Sequence, residues 1–195
     1  ITASEVGVMT TLTDLARNSA PRNVAADIGR LFGEGIAKKQ DQDLIALFDG
    51  FSTAVGDGTT AITAAAVFNA ASTLRAAALN LNDSAVVLHP KIAYDLKANL
   101  TNTFANPNAG DLQNEAMRSG FVGSLAGLRV FETSNMSNTG TAGDYKGGAF
   151  HRDAIALAEM QGLKIETQRD ASLRADEIVA TSVYGVGEIH DSYGV

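Results

Sequence analysis

The order of periodicities along the chain predicts an α+β fold. Three observations carry that prediction. Residues 22–48 place apolar side chains at Val24, Ile28, Leu31, Phe32 and Ile36, then at Leu44, Ile45, Leu47 and Phe48, which is helical spacing. Residues 61–79 repeat the period in alanine-rich form, with Val67, Ala71, Leu74 and Ala78 on one face. The tail changes period: Leu163, Ile165 and Thr167 alternate with Lys164, Glu166 and Gln168, and 177–190 is rich in β-branched residues. Helices and strands do not interleave as regular βαβ units, and no internal repeat is visible.

Taken in order, residues 5–10 alternate loosely and predict a strand. Thr11-Leu12-Thr13-Asp14 reads as a capping box with Asp in place of Glu, opening a short helix to about Ser19. The long helix follows, with Pro21 in a tolerant first turn and Asp49-Gly50 as its stop. At ~1.5 Å per residue it would run roughly 40 Å. Its polar stripe is Asp27, Arg30, Glu34, Lys38 and Asp41, and Glu34 precedes Lys38 in the favourable order for an ion pair. Gly29 and Gly33 each cost about 1 kcal/mol in an exposed helix, so their expected role is to admit a close backbone.

Residues 51–60 form a turn-rich connector around Gly56-Asp57-Gly58. After the alanine-rich helix, 80–84 turns the chain into Ala85-Val86-Val87-Leu88, an apolar run of the buried-strand kind. His89-Pro90 ends that strand and opens a helix over 91–100. Two long polar loops are expected, at 101–112 and 134–148. Between them Gly120, Gly123 and Gly127 lead into a strand at 128–132, and 149–158 returns to apolar content. Residues 170–176 suit the turn of an antiparallel pair.

With 195 residues, 45% of them hydrophobic, the chain can bury a core in one or two domains. A formal charge of −7 and a pI of about 4.9 argue against a main role in neutralising nucleic-acid phosphates. There is no cysteine, which excludes disulfides and thiolate metal sites. No apolar run approaches the roughly 20 residues of a membrane span, and no signal peptide is visible. A start at Ile1 rather than methionine predicts a processed protein or a fragment.

The chemistry-bearing residues converge on no site. His89, His151 and His190 share no metal-ligand spacing with other ligand types. His89 before Pro90 suits a helix entry, and His190 beside Asp191 suits a polar strand end. Gly56-Asp57-Gly58-Thr59-Thr60 lacks the Lys-Ser/Thr ending of a P-loop, and Asp57 would repel phosphate. Gly120-Phe121-Val122-Gly123 precedes a strand, so it is no dinucleotide fingerprint. Ser119 and Ser124 complete no nucleophile elbow. Asp41, Asp43 and Asp49 read as a solvated helix face. No catalytic, cofactor-binding or metal-ligating residue is assigned, no cofactor is expected, and the chain is expected not to be an enzyme.

Five segments in fixed order carry a resemblance. They are Thr13-Asp14-Leu15-Ala16 leading to Gly33-Glu34-Gly35-Ile36-Ala37-Lys38-Lys39 and Asp41; Val86-Val87-Leu88-His89-Pro90; Gly120-Phe121-Val122-Gly123-Ser124-Leu125-Ala126-Gly127 before Val130; Gly147-Gly148-Ala149-Phe150; and Ile165-Glu166, Arg169-Asp170 and Val183-Tyr184-Gly185. In this order and spacing the chain resembles the major capsid proteins of tailed bacteriophages, whose shell fold encapsulins also use. The resemblance implies the Hong Kong 97-type capsid fold, with a long spine helix, a peripheral domain and an axial domain. Carried over, 1–52 and 160–183 are peripheral with the spine at 22–48, and 53–159 and 184–195 are axial. The family's N-terminal arm and extended loop would precede the strand on which this sequence opens.

What the resemblance implies is a structural protein that self-assembles into pentamers and hexamers, closing an icosahedral shell around phage double-stranded DNA. Its implied partners are itself, then scaffold, portal and decoration proteins, with DNA enclosed rather than read by sequence and no membrane. The implied location is the virion capsid, assembled in the host bacterial cytoplasm. The acidic balance fits a container that does not grip its contents. An encapsulin-type nanocompartment shell is the alternative, to be told apart by a cargo-binding groove. A small acidic enzyme is the third, and it would need titratable residues converging in a pocket.

Overall fold

The structure is a computed structural model that describes residues 1–19, 23–56, 60–104, 123–136 and 145–195. The helix starting at Arg22, the Gly56-Asp57-Gly58 turn, most of the 101–112 and 134–148 loops and the Gly120-Phe121-Val122 segment fall wholly or partly outside them. The chain divides into two compact units, Ile1–Leu44 with Leu157–Gly187, and Ile45–Ala156 with Glu188–Val195.

The first unit is built on a three-stranded sheet in the order β1-β7-β6. Strand β1 (Ser4–Thr13) pairs antiparallel with β7 (Ala175–Glu188), with Val8 opposite Ala180 and Thr10 opposite Ile178. Strand β6 (Ile155–Asp170) lies on the other side of β7. Helix α1 (Asp14–Ser19) follows β1 without a break. Its cap is Thr13, whose Oγ1 accepts from Ala16 N at 3.2 Å. The cap expected at Thr11 is therefore two residues too early, because pairing with β7 keeps the chain extended through Thr13.

Helix α2 (Val24–Ala46) ends in a 3₁₀ turn, Leu47–Gly50. Phe32 and Ile36 are buried against Ile178 and Ala180 of β7, with Ile28 packed beside them. These residues recur every four positions and so form one narrow stripe. Leu31, expected on that face, is 56% exposed, because one residue of helix turns it by about 100° away from Phe32. The expected Glu34–Lys38 pair also differs: Glu34 takes Arg30 at 2.9 Å, and Lys39 takes Asp43. Among the described residues of this chain, no backbone approaches the helix glycines. A Cβ on Gly29 would meet nothing within 4 Å, and one on Gly33 only Leu163 Cδ2 at 4.0 Å.

The second unit carries a four-stranded sheet in the order β3-β4-β2-β5. Strand β2 (Ser84–Leu88) lies parallel to β4 (Leu128–Glu132) and antiparallel to β5 (Gly147–His151). Strand β3 (Ser124–Leu125) joins β4 through Ala126 and Gly127, both at positive φ, the conformation that a two-residue hairpin demands. Helices α3 (Ala64–Ala76) and α4 (Pro90–Phe104) supply the rest of its core. Val67, Ala71 and Leu74 of α3 meet Val86 and Leu88 of β2, Leu96 of α4, and Leu128 and Val130 of β4.

Helix α3 is shorter than the expected 61–79, and Ala78 sits beyond it in a left-handed turn at φ 59°. Helix α4 is longer than 91–100 and takes the first residues of the expected loop at 101–112. The expected loop at 134–148 likewise gives way to β5 from Gly147. That Gly147-Gly148 pair has a packing cause. A Cβ on Gly148 would stand 2.5 Å from Phe48 Cδ2, and one on Gly147 would overlap Leu88.

Candidate assembly surfaces

The first unit leaves much of its apolar surface in the open. Sheet residues alternate faces, and α2 buries the β7 residues Ile178 and Ala180 on one of them. The cover stops there. Along β6 every residue from Leu157 to Arg169 is exposed. Met160 is 82% exposed, Leu163 48% and Ile165 47%. The alternation at 163–168 reads as one wet and one dry face in the sequence, yet both are wet in the structure. Among the described residues β6 has β7 on one side and no strand on the other.

The β6–β7 turn is held by charge. Arg169 makes a two-pronged contact with Asp14, Nη1 to Oδ1 at 2.7 Å and Nη2 to Oδ2 at 2.6 Å, and reaches Asp176 Oδ1 at 3.2 Å. Arg17 closes the cluster on Asp176 Oδ2 at 2.8 Å. The hydrogen bonds from Arg169 hold the Asp14 carboxyl below the usual carboxylate range. Within the turn, Asp170 Oδ1 accepts from Ser172 Oγ at 2.6 Å, Ser172 N at 2.8 Å and Leu173 N at 3.2 Å. Those bonds hold the Asp170 carboxyl below the usual range as well, the Ser172 hydroxyl contributing most. Arg174 closes the hairpin at φ 49°.

Further along, Tyr184 OH donates to Asp43 Oδ2 at 2.8 Å. Burial, then the hydrogen bond to Asp43, pushes the Tyr184 hydroxyl up to about 12. Burial works against the Asp43 charge, but hydrogen bonds from Lys39 and Tyr184 outweigh it and hold the carboxyl low. Of the three acids read as a solvated face, Asp43 is thus an internal partner, and Asp49 pairs with Lys146 at 2.7 Å.

In the second unit His151 and His190 both flank the Tyr193 ring, with centroids 6.0 and 4.7 Å from it, while His89 sits at the entry of α4. His89 does enter a helix: its Nδ1 accepts from Lys91 N at 3.2 Å, and its ring stacks on Tyr145 with centroids 3.6 Å apart. His151 is buried, and its Nδ1 accepts from Asp153 N at 3.3 Å. His190 does not use Asp191. That carboxylate accepts from Ser52 N at 2.7 Å and from the Ser52 hydroxyl, the hydroxyl being the larger cause of its lowered pKa. Among the described residues no three His, Asp or Glu gather as a metal site, and no helix is long and apolar enough to cross a membrane. Among the described residues Phe68, Tyr94 and Phe131 are large apolar side chains exposed on α3, α4 and β4.

Known proteins share this arrangement. A family model described as phage capsid protein matches residues 1–195. Among solved structures, one from Mycobacterium phage Che8 is 23% identical, with a TM-score of 0.77 over 98% of this chain and 69% of that one. The capsid of cyanophage P-SCSP1u is 19% identical, with a TM-score of 0.76 over 97% of this chain and 70% of that one. The SrpI encapsulin of Synechococcus elongatus PCC 7942 is 14% identical, with a TM-score of 0.70 over 99% of this chain and 72% of that one. No curated protein sequence matches the chain.

Proposed function

The chain belongs to the phage capsid protein family, and on that premise we propose that its copies gather into pentamers and hexamers that close an icosahedral shell around double-stranded phage DNA. It is a structural, shell-forming major capsid protein. The observation that carries the proposal is the family match along all of 1–195, joined to a fold shared with phage capsids. In this reading the unit of α2 and β1, β6 and β7 is the peripheral domain, with α2 as its spine. The unit of α3, α4 and β2–β5 is the axial domain, near the capsomer centre. Scaffold, portal and decoration proteins are its further partners, and assembly takes place in the host bacterial cytoplasm.

DNA is enclosed without being read. With −7 net charge and 15 Lys plus Arg, binding to free DNA should be weak, salt-sensitive and indifferent to sequence. Sub-micromolar, sequence-selective binding at physiological salt would contradict this. Electron microscopy of the full-length protein after expression tests the main proposal. Closed shells or rings of five and six are expected, and a strictly monomeric species at high concentration overturns it. The likeness to an encapsulin supports a second reading, a nanocompartment that holds protein cargo. Particles from native material separate the two, because DNA fills one and protein the other.

A further inference from the structure

The β6 edge has features of a pairing site. A strand of 16 residues is about three times the usual length, and an edge strand offers a row of unpaired N–H and C=O groups to another chain. Proteins that stay monomeric blunt such edges with short strands, proline, bulges, charged side chains or a cover. This one contains no proline, and among the described residues no strand covers it.

Its side chains also match themselves. Lys164 and Glu166 share one face and form an ion pair with each other. Leu163, Ile165 and Thr167 share the other. If two β6 strands meet antiparallel with Ile165 at the centre, Lys164 of each lies opposite Glu166 of its mate. The two intrachain pairs then become an alternating square of four charges. On the other face Ile165 meets Ile165, flanked on each side by Leu163 against Thr167. Opposite charges directly across strands stabilise such pairs, and like charges destabilise them. A register moved so that the two Lys164 side chains face each other would set like charges together.

We propose that β6 is a two-fold docking edge for β6 of a second copy of this chain, antiparallel and centred on Ile165. A contact in which one patch meets itself is closed and adds no open filament, so it can join two capsomers without making fibres. The pairing rests on the shell-forming function proposed above.

Cysteine cross-linking in assembled full-length particles tests it, with the unsubstituted protein as oxidation control, since residues 1–195 contain no cysteine. Directly opposed residues bring Cβ atoms to about 4.5–5.5 Å, near disulfide range, so Ile165→Cys should give covalent dimers on mild oxidation. Thr167→Cys should not, because antiparallel stagger puts the two copies about 14 Å apart. In parallel, Lys164→Glu should cut shell yield about tenfold through like-charge contact, with the melting temperature of the subunit unchanged. Adding Glu166→Lys to it should restore the yield, because the square of charges returns with signs exchanged.

Several results would overturn the pairing while leaving the shell function standing. They are shells in which Ile165→Cys stays monomeric, a Lys164→Glu variant that assembles normally, or a double variant that fails to recover. β6 amides protected from exchange in shells without the Ile165→Cys dimer would assign the edge to a different segment. Full-length protein that forms no assemblies at all would remove the shell function, and the pairing with it.

Discussion

The two sheets of this chain differ in what covers them. The β3-β4-β2-β5 sheet has α3 and α4 on its core face and, among the described residues, buries twelve together, from Val67 to Ala149. The β1-β7-β6 sheet shares, among the described residues, a cluster of four, Phe32, Ile36, Ile178 and Ala180, and leaves its longest strand wet on both faces. Hydrophobic stabilisation scales with the apolar area removed from water, about 25 cal/mol per Å². The first unit therefore has less to gain from folding alone and more to gain from a neighbour. A shell subunit can hold one region rigid by its own core while another waits for contacts made on assembly.

The largest effects should fall where the core is closed. Leu74→Ala, Leu96→Ala or Leu128→Ala, each at 0% exposure, should cost about 3–5 kcal/mol through the cavity left behind. Denaturant unfolding of the unassembled chain reads this directly, and a loss under about 1 kcal/mol would erase the contrast between the units. Phe32→Ala should cost about 2–3 kcal/mol, less than in a closed core, because a small cluster can relax around the gap. A cost equal to that of Leu96→Ala would mean that the first unit is as tightly packed as the second.

Tyr184→Phe sharpens the comparison inside the first unit. Losing the hydrogen bond to Asp43 should cost about 1–2 kcal/mol. The hydroxyl is neutral when folded and its pKa is raised, so its contribution is present below pH 10 and fades as pH climbs to about 12. The phenylalanine variant should lack that alkaline decline in a pH series of melting temperatures.

The hairpin turn should respond to acid instead. The carboxyls of Asp14 and Asp170 are held low when folded. Their contribution is present above the ordinary carboxylate pKa and is lost as pH falls through the lowered one. Titration of the carboxyl carbons by NMR should give both midpoints below 3.8, and the turn amides should lose protection in that range before those of β2. The smallest effects belong to the open helix face. Leu31→Ala and Glu34→Ala should each change the stability of the unassembled chain by about 0.5 kcal/mol or less.

The legible part of the fold was the part set by local pattern. The i, i+4 recurrence of Val24, Ile28, Phe32 and Ile36 marks α2 to within a few residues, and Ala85-Val86-Val87-Leu88 marks β2. The Gly147-Gly148 pair was legible as a family feature, though its cause, the approach of Phe48 and Leu88, was not. The assembly edge was not legible. Alternation at Leu163-Lys164-Ile165-Glu166 announces a strand, but the same alternation serves a covered face or an uncovered one.

Composition, charge, the succession of helices and strands, and the capsid-type motifs lie in the sequence by itself, because each depends on residues near in the chain or on totals. Four outcomes waited for the tertiary structure. Thr13 rather than Thr11 caps α1, since β7 holds β1 extended to that point. Glu34 pairs with Arg30 rather than Lys38, a choice between two partners equally near along the helix. Leu31 stays exposed because the cluster on Ile178 and Ala180 takes only a narrow stripe of α2. And among the described residues β6 has a strand on one side alone, because β7 has two sides and β1, far away in the sequence, takes the other one. Long-range pairing decides which surfaces remain for a second molecule, and periodicity cannot record it.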